Sequence, residues 1–523
     1  MLAPDDRSLR TRLDGPPRGR ALTWLGLCAA AALAASCSVL YNPDDLGVGS
    51  DGGLPPGVPD ARPPDALPAG AFGLIRSVPA TVREGEGAVR PIPVVIEGQN
   101  ISPDVEISVM ALDDVILTAP VVNGAGTRLA FGMTVPVIDV GAPDSFTIVA
   151  RQNGEERMVT VGLVSLDELV ASKLSGGRLS QDDVNALDCC SRIVIDASVI
   201  LEGDEPVRLT ATAEVVVSAS ISANGGDAVA ANPGQPGPGG CRGGGLSADG
   251  ECGGSGGQAP NDPTSNDAAG GGGHITPGIP GGGDSGADGG DASGSADLVP
   301  LSDEGGHGGG GSKQGAGGGG GGVFEITSEG VFRVDIGGNF SARGGGGGDG
   351  RCDAVSVGGG GGGSGGGILL RGLAGFEDLG STPRIAAGGG AGGDTGTCLE
   401  NGGGGADGRV RVDYPEVGDQ PPFARTSRRP VRGPTIAPTL PVIVEAAGVA
   451  VPIAGQPDAT YRIFVNGSGV DDVPIDQDGV VNVPVTLVEG RNELCVGTEN
   501  GSIGNQPSEG KHCVHIAYMA PPL

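Results

Sequence analysis

The sequence predicts an all-β chain: two β-sandwiches flanking a parallel β-solenoid with long glycine-rich loops. Three observations support this. About 70 of the 105 glycines fall between Ser222 and Gly408, where short apolar runs recur at a fixed period. Just before them, Val207, Leu209, Ala211, Val215, Val217, Ala219 and Ile221 follow the two-residue alternation of strands. On both flanks, β-branched runs are separated by turn residues at regular spacing.

Residues 1–36 read as an export signal. Arg7, Arg10, Arg12, Arg18 and Arg20 form a basic start, and Ala21–Ala35 is apolar but short for a membrane span. The segment ends Leu33-Ala34-Ala35-Ser36-Cys37, which resembles a bacterial lipobox, with Leu33 one step earlier than usual. The resemblance implies that the Cys37 thiol carries a diacylglycerol and that Cys37 becomes the mature N-terminus. The lipid is then the membrane anchor, at roughly 0.8 kcal/mol per buried CH₂. Ser38 at the next position, by resemblance to the sorting rule of enteric bacteria, implies the outer membrane. Residues 37–70, with Asn42-Pro43-Asp44-Asp45 and Pro63-Pro64, form a tether. Extended, it reaches on the order of 100 Å.

Residues 71–165 read as a sandwich, with strands at Pro91–Ile96, Val105–Met110, Leu129–Val135 and Phe146–Arg151. The run Ser77-Val78-Pro79, then Glu84-Gly85, then Val94-Val95-Ile96-Glu97-Gly98-Gln99-Asn100, resembles the start of an IPT/TIG immunoglobulin-like module. Such modules are spacers or binding units. Residues 166–191 predict a short helical linker capped by Ser180, with Asp182 and Asp183 favoured in its first turn. Cys189 and Cys190 follow. Adjacent cysteines seldom bridge each other, which predicts a partner elsewhere.

Residues 192–414 read as the solenoid. Val323 to Ile368 and Phe340 to Ile385 are both 45 residues apart. Each unit holds two short strands and a glycine excursion, and only stacked copies bury a face. Cys352 and Cys398 take equivalent loop positions, so a bridge between them is expected, at roughly 4 kcal/mol. Residues 227–320, poor in apolar side chains, read as a disordered acidic excursion. Two other conformations suit such runs: a flexible linker, and a bundle of extended polyglycine helices, which the missing Cβ permits. The pattern of glycine run, short strand and Ile221-Ser222-Ala223-Asn224-Gly225-Gly226 resembles Gly-rich β-solenoid surface lipoproteins of myxobacterial type.

Residues 415–435 form a linker with Arg425, Arg428, Arg429 and Arg432, expected to be solvated. Residues 436–523 predict a second sandwich, with Tyr461–Val465 running into the turn Asn466-Gly467. Leu487-Val488-Glu489-Gly490-Arg491-Asn492, then Gly504-Asn505-Gln506-Pro507-Ser508, resembles bacterial extracellular Ig-like modules. That resemblance places Cys495 and Cys513 on neighbouring strands, within reach of a disulfide.

A formal charge of −31 argues against nucleic acid and against electrostatic binding to anionic membrane. Ten cysteines fit an oxidising compartment. His274 and His307 lie in separate glycine loops, and His512-Cys513-Val514-His515 reads as a surface strand without metal-ligand spacing. No nucleophile motif follows a strand. No catalytic residue, metal site or cofactor is expected, and the chain reads as a non-enzyme. The expected role is structural, adhesive or display, anchored in the membrane by lipid and meeting an extracellular polysaccharide or a surface protein. The alternative is a polysaccharide-binding or polysaccharide-processing β-helix, which needs clustered acids and sugar-stacking aromatics. The solenoid strands hold Arg333, Arg371, Arg384, Arg409 and Arg411 with scattered acids, and aromatics are only 3% of the chain.

Overall fold

The computed structural model describes residues 71–521 except 139–142, 188, 253–256, 262–266, 284–285, 296–297, 299–301, 303, 352–357, 379–383, 397–399, 416–424, 427–429 and 499–509. The regular elements of the described chain are nearly all strands. None of its helices is long and apolar enough to cross a membrane. Cys37 lies outside the described residues, as do Cys352 and Cys398.

Alternating apolar residues build the first two-sheet body. Gly73–Val78, Ile92–Gln99, Arg128–Thr134 and Ile116–Leu117 form one sheet. Thr81–Arg83, Glu155–Val164, Ser145–Gln152 and Glu106–Met110 form the other. Val94, Ile96, Leu129 and Phe131 share one buried core with Phe146, Ile148 and Val161.

From Asp167 the chain winds in coils with three faces, each a parallel sheet. The first face stacks Asp167–Val170, Cys189–Ile195, Glu214–Val217, Val331–Val334 and Gly375–Asp378. The second stacks Arg178–Ser180, Val199–Glu202, Ser220–Ser222, Asn339–Ser341, Arg384–Ala386 and Arg425–Thr426. The third stacks Val207–Ala211, Phe324–Ser328, Gly367–Gly372, Arg409–Asp413 and Val431–Arg432. Inward residues form ladders: Val207 pairs with Phe324, Phe324 with Ile368, and Ile368 with Val410. Phe332 stacks on Phe376 with ring centroids 4.7 Å apart. The repeat therefore registers Ile368 with Phe324, one residue later than the sequence spacing from Val323. Strand alternation explains the slip: Phe324 points into the coil, while Val323 packs outside it beside Leu298 and Leu369.

The helix Gln181–Asn185 is capped as expected, with Ser180 Oγ accepting from Asp183 N in a capping box. Cys189 and Cys190 correct the expectation of partners elsewhere, because they are bonded to each other. Arg432 corrects the solvated linker. It is buried, stacks 4.3 Å from the centre of the Tyr414 ring and donates to Tyr414 O.

Residues beyond the coils form a second two-sheet body. Thr435–Ile436, Gly448–Ala454 and Val480–Thr486 face Ile443–Val444, His512–Tyr518, Gly490–Thr498, Thr460–Val465 and Ser468–Pro474. At the hairpin after Val465, Asn466 and Gly467 both take positive φ, 50° and 77°, as a tight two-residue turn requires. Cys495 and Cys513 are register partners on adjacent strands and are bonded. The two bodies, remote in sequence, meet through Val95, Ala130, Ala517 and Met519. Both also rest on the solenoid: Thr212 Oγ1 donates to Glu84 O at 2.6 Å, and Arg371 Nη2 to Lys511 O at 2.6 Å.

Candidate functional site

The long excursions leave the coil at one corner, between the second and third faces, over 223–323, 342–366 and 387–408. They neither hang free nor splay outwards. Segment 316–322 shows how they are held. Ala316, Gly319 and Gly322 donate their N–H groups to Ala230, Gly226 and Ala223 of one neighbour. Gly317 and Gly320 donate to Gly244 and Cys241 of a second, and Gly318 and Gly321 to Gly361 and Ser364 of a third. The carbonyls repeat the pattern. Those of Ala316 and Gly319 accept from Gly348 and Gly345, those of Gly317 and Gly320 from Gly234 and Gly237, and those of Gly318 and Gly321 from Gly309 and Gly306.

A three-residue period is that of an extended left-handed helix without internal hydrogen bonds. Here each turn bonds outwards to six neighbouring segments. Segment 359–365 repeats the arrangement, donating to Glu400, Gly348, Gly310, Gly403, Gly345, His307 and Ala406. Such spacing leaves no room for a side chain at most of these glycines. A Cβ on Gly361 would overlap the carbonyl oxygen of Gly270. The structure thus takes the polyglycine-bundle conformation rather than outward loops. For its described part, the disordered excursion over 227–320 is corrected as well: Gly234, Gly244, Gly272 and Gly309 all donate into the bundle. Backbone pairing replaces the apolar burial that the segment lacks.

Exposed side chains mark the far end. Chain reversals at Val229–Asn232, Gly245–Ala248 and Ser312–Gly315 are fully described. At four more, the described flanks pair: Gly270 with Gln258, Gly281 with Ala287, Gly360 with Gly348, and Gly402 with Gly393. Lateral bonds put the three described reversals and the four flank pairs at one level. Ser247 donates to Ser312, Ala316 to Ala230, Gly348 to Ala316, Gly360 to Gly348, and Gly393 to Gly360. Ala269 donates to Gly359, and Ala268 to Gly282. Val229, Asn232, Leu246, Lys313, Asp349 and Arg351 are exposed there.

Comparison with protein-family models, with curated proteins and with solved structures returns no match.

At the base of the bundle the structure unites residues that the sequence kept apart. His274 and His307 lie with ring centroids 6.1 Å apart. His307 Nδ1 meets Ser293 Oγ at 3.1 Å, and His274 Nε2 donates to Glu304 O at 3.2 Å. Burial lowers the His274 pKa to about 4, so the ring is neutral. Cys241 and Cys252 are bonded beside His307. Glu304 Oε2 lies 3.9 Å from His274 Nε2. No sequence spacing announces this cluster, because lateral packing of the bundle alone creates it.

A second buried group lies on the outer side of the third solenoid face. Asp413 accepts from Arg411 Nε at 2.7 Å, Arg411 Nη2 at 2.8 Å and Arg371 Nε at 3.0 Å. Arg411 and Asp413 are 0% exposed beneath Gly510 and Lys511. His512 is also buried, which corrects the surface-strand reading. Its Nδ1 accepts from Ile436 N at 2.8 Å, and burial together with the Arg371 charge lowers its pKa to about 3. This acid–base cluster is buried, with Arg371 and His512 at the edge of a cleft, and it fastens the second two-sheet body to the coil.

Proposed function

We propose that the chain is a non-catalytic, lipid-anchored envelope protein that displays the end of its glycine bundle for adhesion at the cell surface. One observation carries this reading: the reversals at Val229–Asn232, Gly245–Ala248 and Ser312–Gly315, with exposed side chains, lie together at the far end of a scaffold whose interior is mostly backbone. Backbone pairing makes the shaft rigid, and a rigid shaft holds contact residues at fixed spacing. Many weak contacts presented together give avidity without a deep pocket. In this reading Cys37 carries the lipid and residues 37–70 lift the body from the membrane, with an outer-membrane location and a polysaccharide or surface protein as partner.

Protease shaving of intact cells tests it, with a Cys37→Ala strain alongside and blotting for the C-terminal body. The expected result is loss of the signal in wild type and release of soluble protein from Cys37→Ala. A triple variant, Leu246→Ser, Lys313→Ser and Arg351→Ser, is expected to remain on the surface but to lose cell attachment. Full protection of wild type from protease, or unchanged attachment by the triple variant, would defeat the display reading.

A further inference from the structure

Where both two-sheet bodies meet the third solenoid face, a cleft of about 640 Å³ opens. That is within the range of small-molecule sites, roughly 300–1,000 Å³, which favour junctions between domains. Its charge runs against the rest of the chain. The sequence has 63 acidic and 32 basic residues, yet this cleft is lined by Arg83, Arg90, Arg208, Arg371 and Lys511 against four glutamates.

Two of these cations are already answered within the protein. Arg83 pairs with Glu329 at 2.8 Å, and Arg371 with Asp413 and Glu325. Arg90 differs. Its Nε and Nη2 donate to the neutral carbonyls of Leu440 and Pro441 at 3.2 and 3.3 Å. Lys511 Nζ stands 4.0 Å from the centre of the Phe464 ring. Among the described residues, no carboxylate lies within ion-pair distance of either. His512 also lines the cleft, and the Ile436 N–H on its Nδ1 places the ring proton on Nε2, where it is a donor.

We propose that this cleft binds a small carboxylate-bearing ligand, with Arg90 and Lys511 supplying the positive charge. A guanidinium suits a carboxylate because its N–H groups match the two oxygens. The half-buried setting of Arg90 strengthens the attraction over that at an open surface. The site is independent of the bundle end and of its display role.

Isothermal titration of the full chain with succinate and with digalacturonate tests the proposal and separates a free organic acid from an acidic sugar unit. The methyl esters serve as uncharged controls. At least one acid is expected to bind and its ester to fail. Arg90→Gln and Lys511→Gln are each expected to raise Kd at least tenfold, while Lys173→Gln, at an exposed lysine outside the cleft, leaves it unchanged. Because Arg90 also holds the Leu440–Pro441 carbonyls, Arg90→Lys is the folding control: it keeps the charge and is expected to bind better than Arg90→Gln. Absence of binding by both acids, or equal binding by the Arg90→Gln/Lys511→Gln pair and wild type, would overturn the assignment.

Discussion

Asp413 pairs with two buried guanidiniums, Arg411 and Arg371, the second of which also meets Glu325. Removing one partner of such a group costs about 3–5 kcal/mol, because the charges left behind stay desolvated. Asp413→Ala is therefore expected to lower stability by that order in denaturant melts, far more than Glu97→Ala at the half-exposed Arg76–Glu97 pair. Similar losses for both would mean that the cluster is solvated. The histidines give a pH signature. His512 and His515 have pKa values lowered to about 3, chiefly by burial, and His274 to about 4. All three sit below the ordinary imidazole value near 6.5. Below pH 6.5 the unfolded chain takes up protons that the folded chain refuses. Stability is thus full above about 6.5 and falls as pH drops towards 4, by up to about 1.4 kcal/mol per pH unit for each histidine. Glu329, whose pKa burial raises, opposes this at the acid end of the range. His512→Gln should flatten the slope of stability between pH 6.5 and 4.5, and an unchanged slope would remove His512 from the account.

At the scale of the element, the bundle makes an asymmetric prediction about glycine. Gly361 lies at the centre, with the Gly270 carbonyl where a Cβ would sit, whereas Gly245 at the far end has open space. Gly361→Ala must push segments apart, and overpacking of this kind costs about 1–3 kcal/mol or more. Gly245→Ala is expected to be neutral or slightly stabilising, since it reduces the freedom of the unfolded chain. Hydrogen exchange across 223–322 is the measurement, and equal protection in both variants would contradict six-neighbour packing. Strands were legible where alternation marks them: Val207, Leu209 and Ala211 face the core as read, whereas Val331–Val334 and Gly375–Asp378, the third strand of each later coil, were not read. The Asn466-Gly467 turn and the Ser180 cap were legible because single residues specify them. The bundle was visible only as one of three conformations. Glycine runs have no side-chain periodicity, so nothing in them distinguishes a loop from a three-residue helix whose order comes from its neighbours.

At the scale of the whole molecule, sequence spacing separates the two sandwiches by the full solenoid, yet they pack together on it. Local patterns carry no information about that contact, which joins Asn123 to Glu489 through a 2.6 Å hydrogen bond. The burial of Arg411 and Asp413 was hidden for the same reason. On an open solenoid face their outward side chains belong in water, and here Gly433 and the Gly510–His512 strand entry cover them. This makes the cost of Asp413→Ala conditional. In the full chain the substitution leaves Arg371 and Arg411 dry. In a chain ending at residue 434 the Gly510–Lys511 cover is gone, so the guanidiniums reach solvent on that side and depend less on the carboxylate. The two changes should therefore couple strongly, as contacting groups do. Asp413→Ala is expected to cost about 3–5 kcal/mol in the full chain but under about 1 kcal/mol in the truncated one. Paired denaturant melts of the four proteins measure the difference. If the substitution costs the same in both backgrounds, the C-terminal body does not seal the cluster, and its docking on the third face must rest on other contacts.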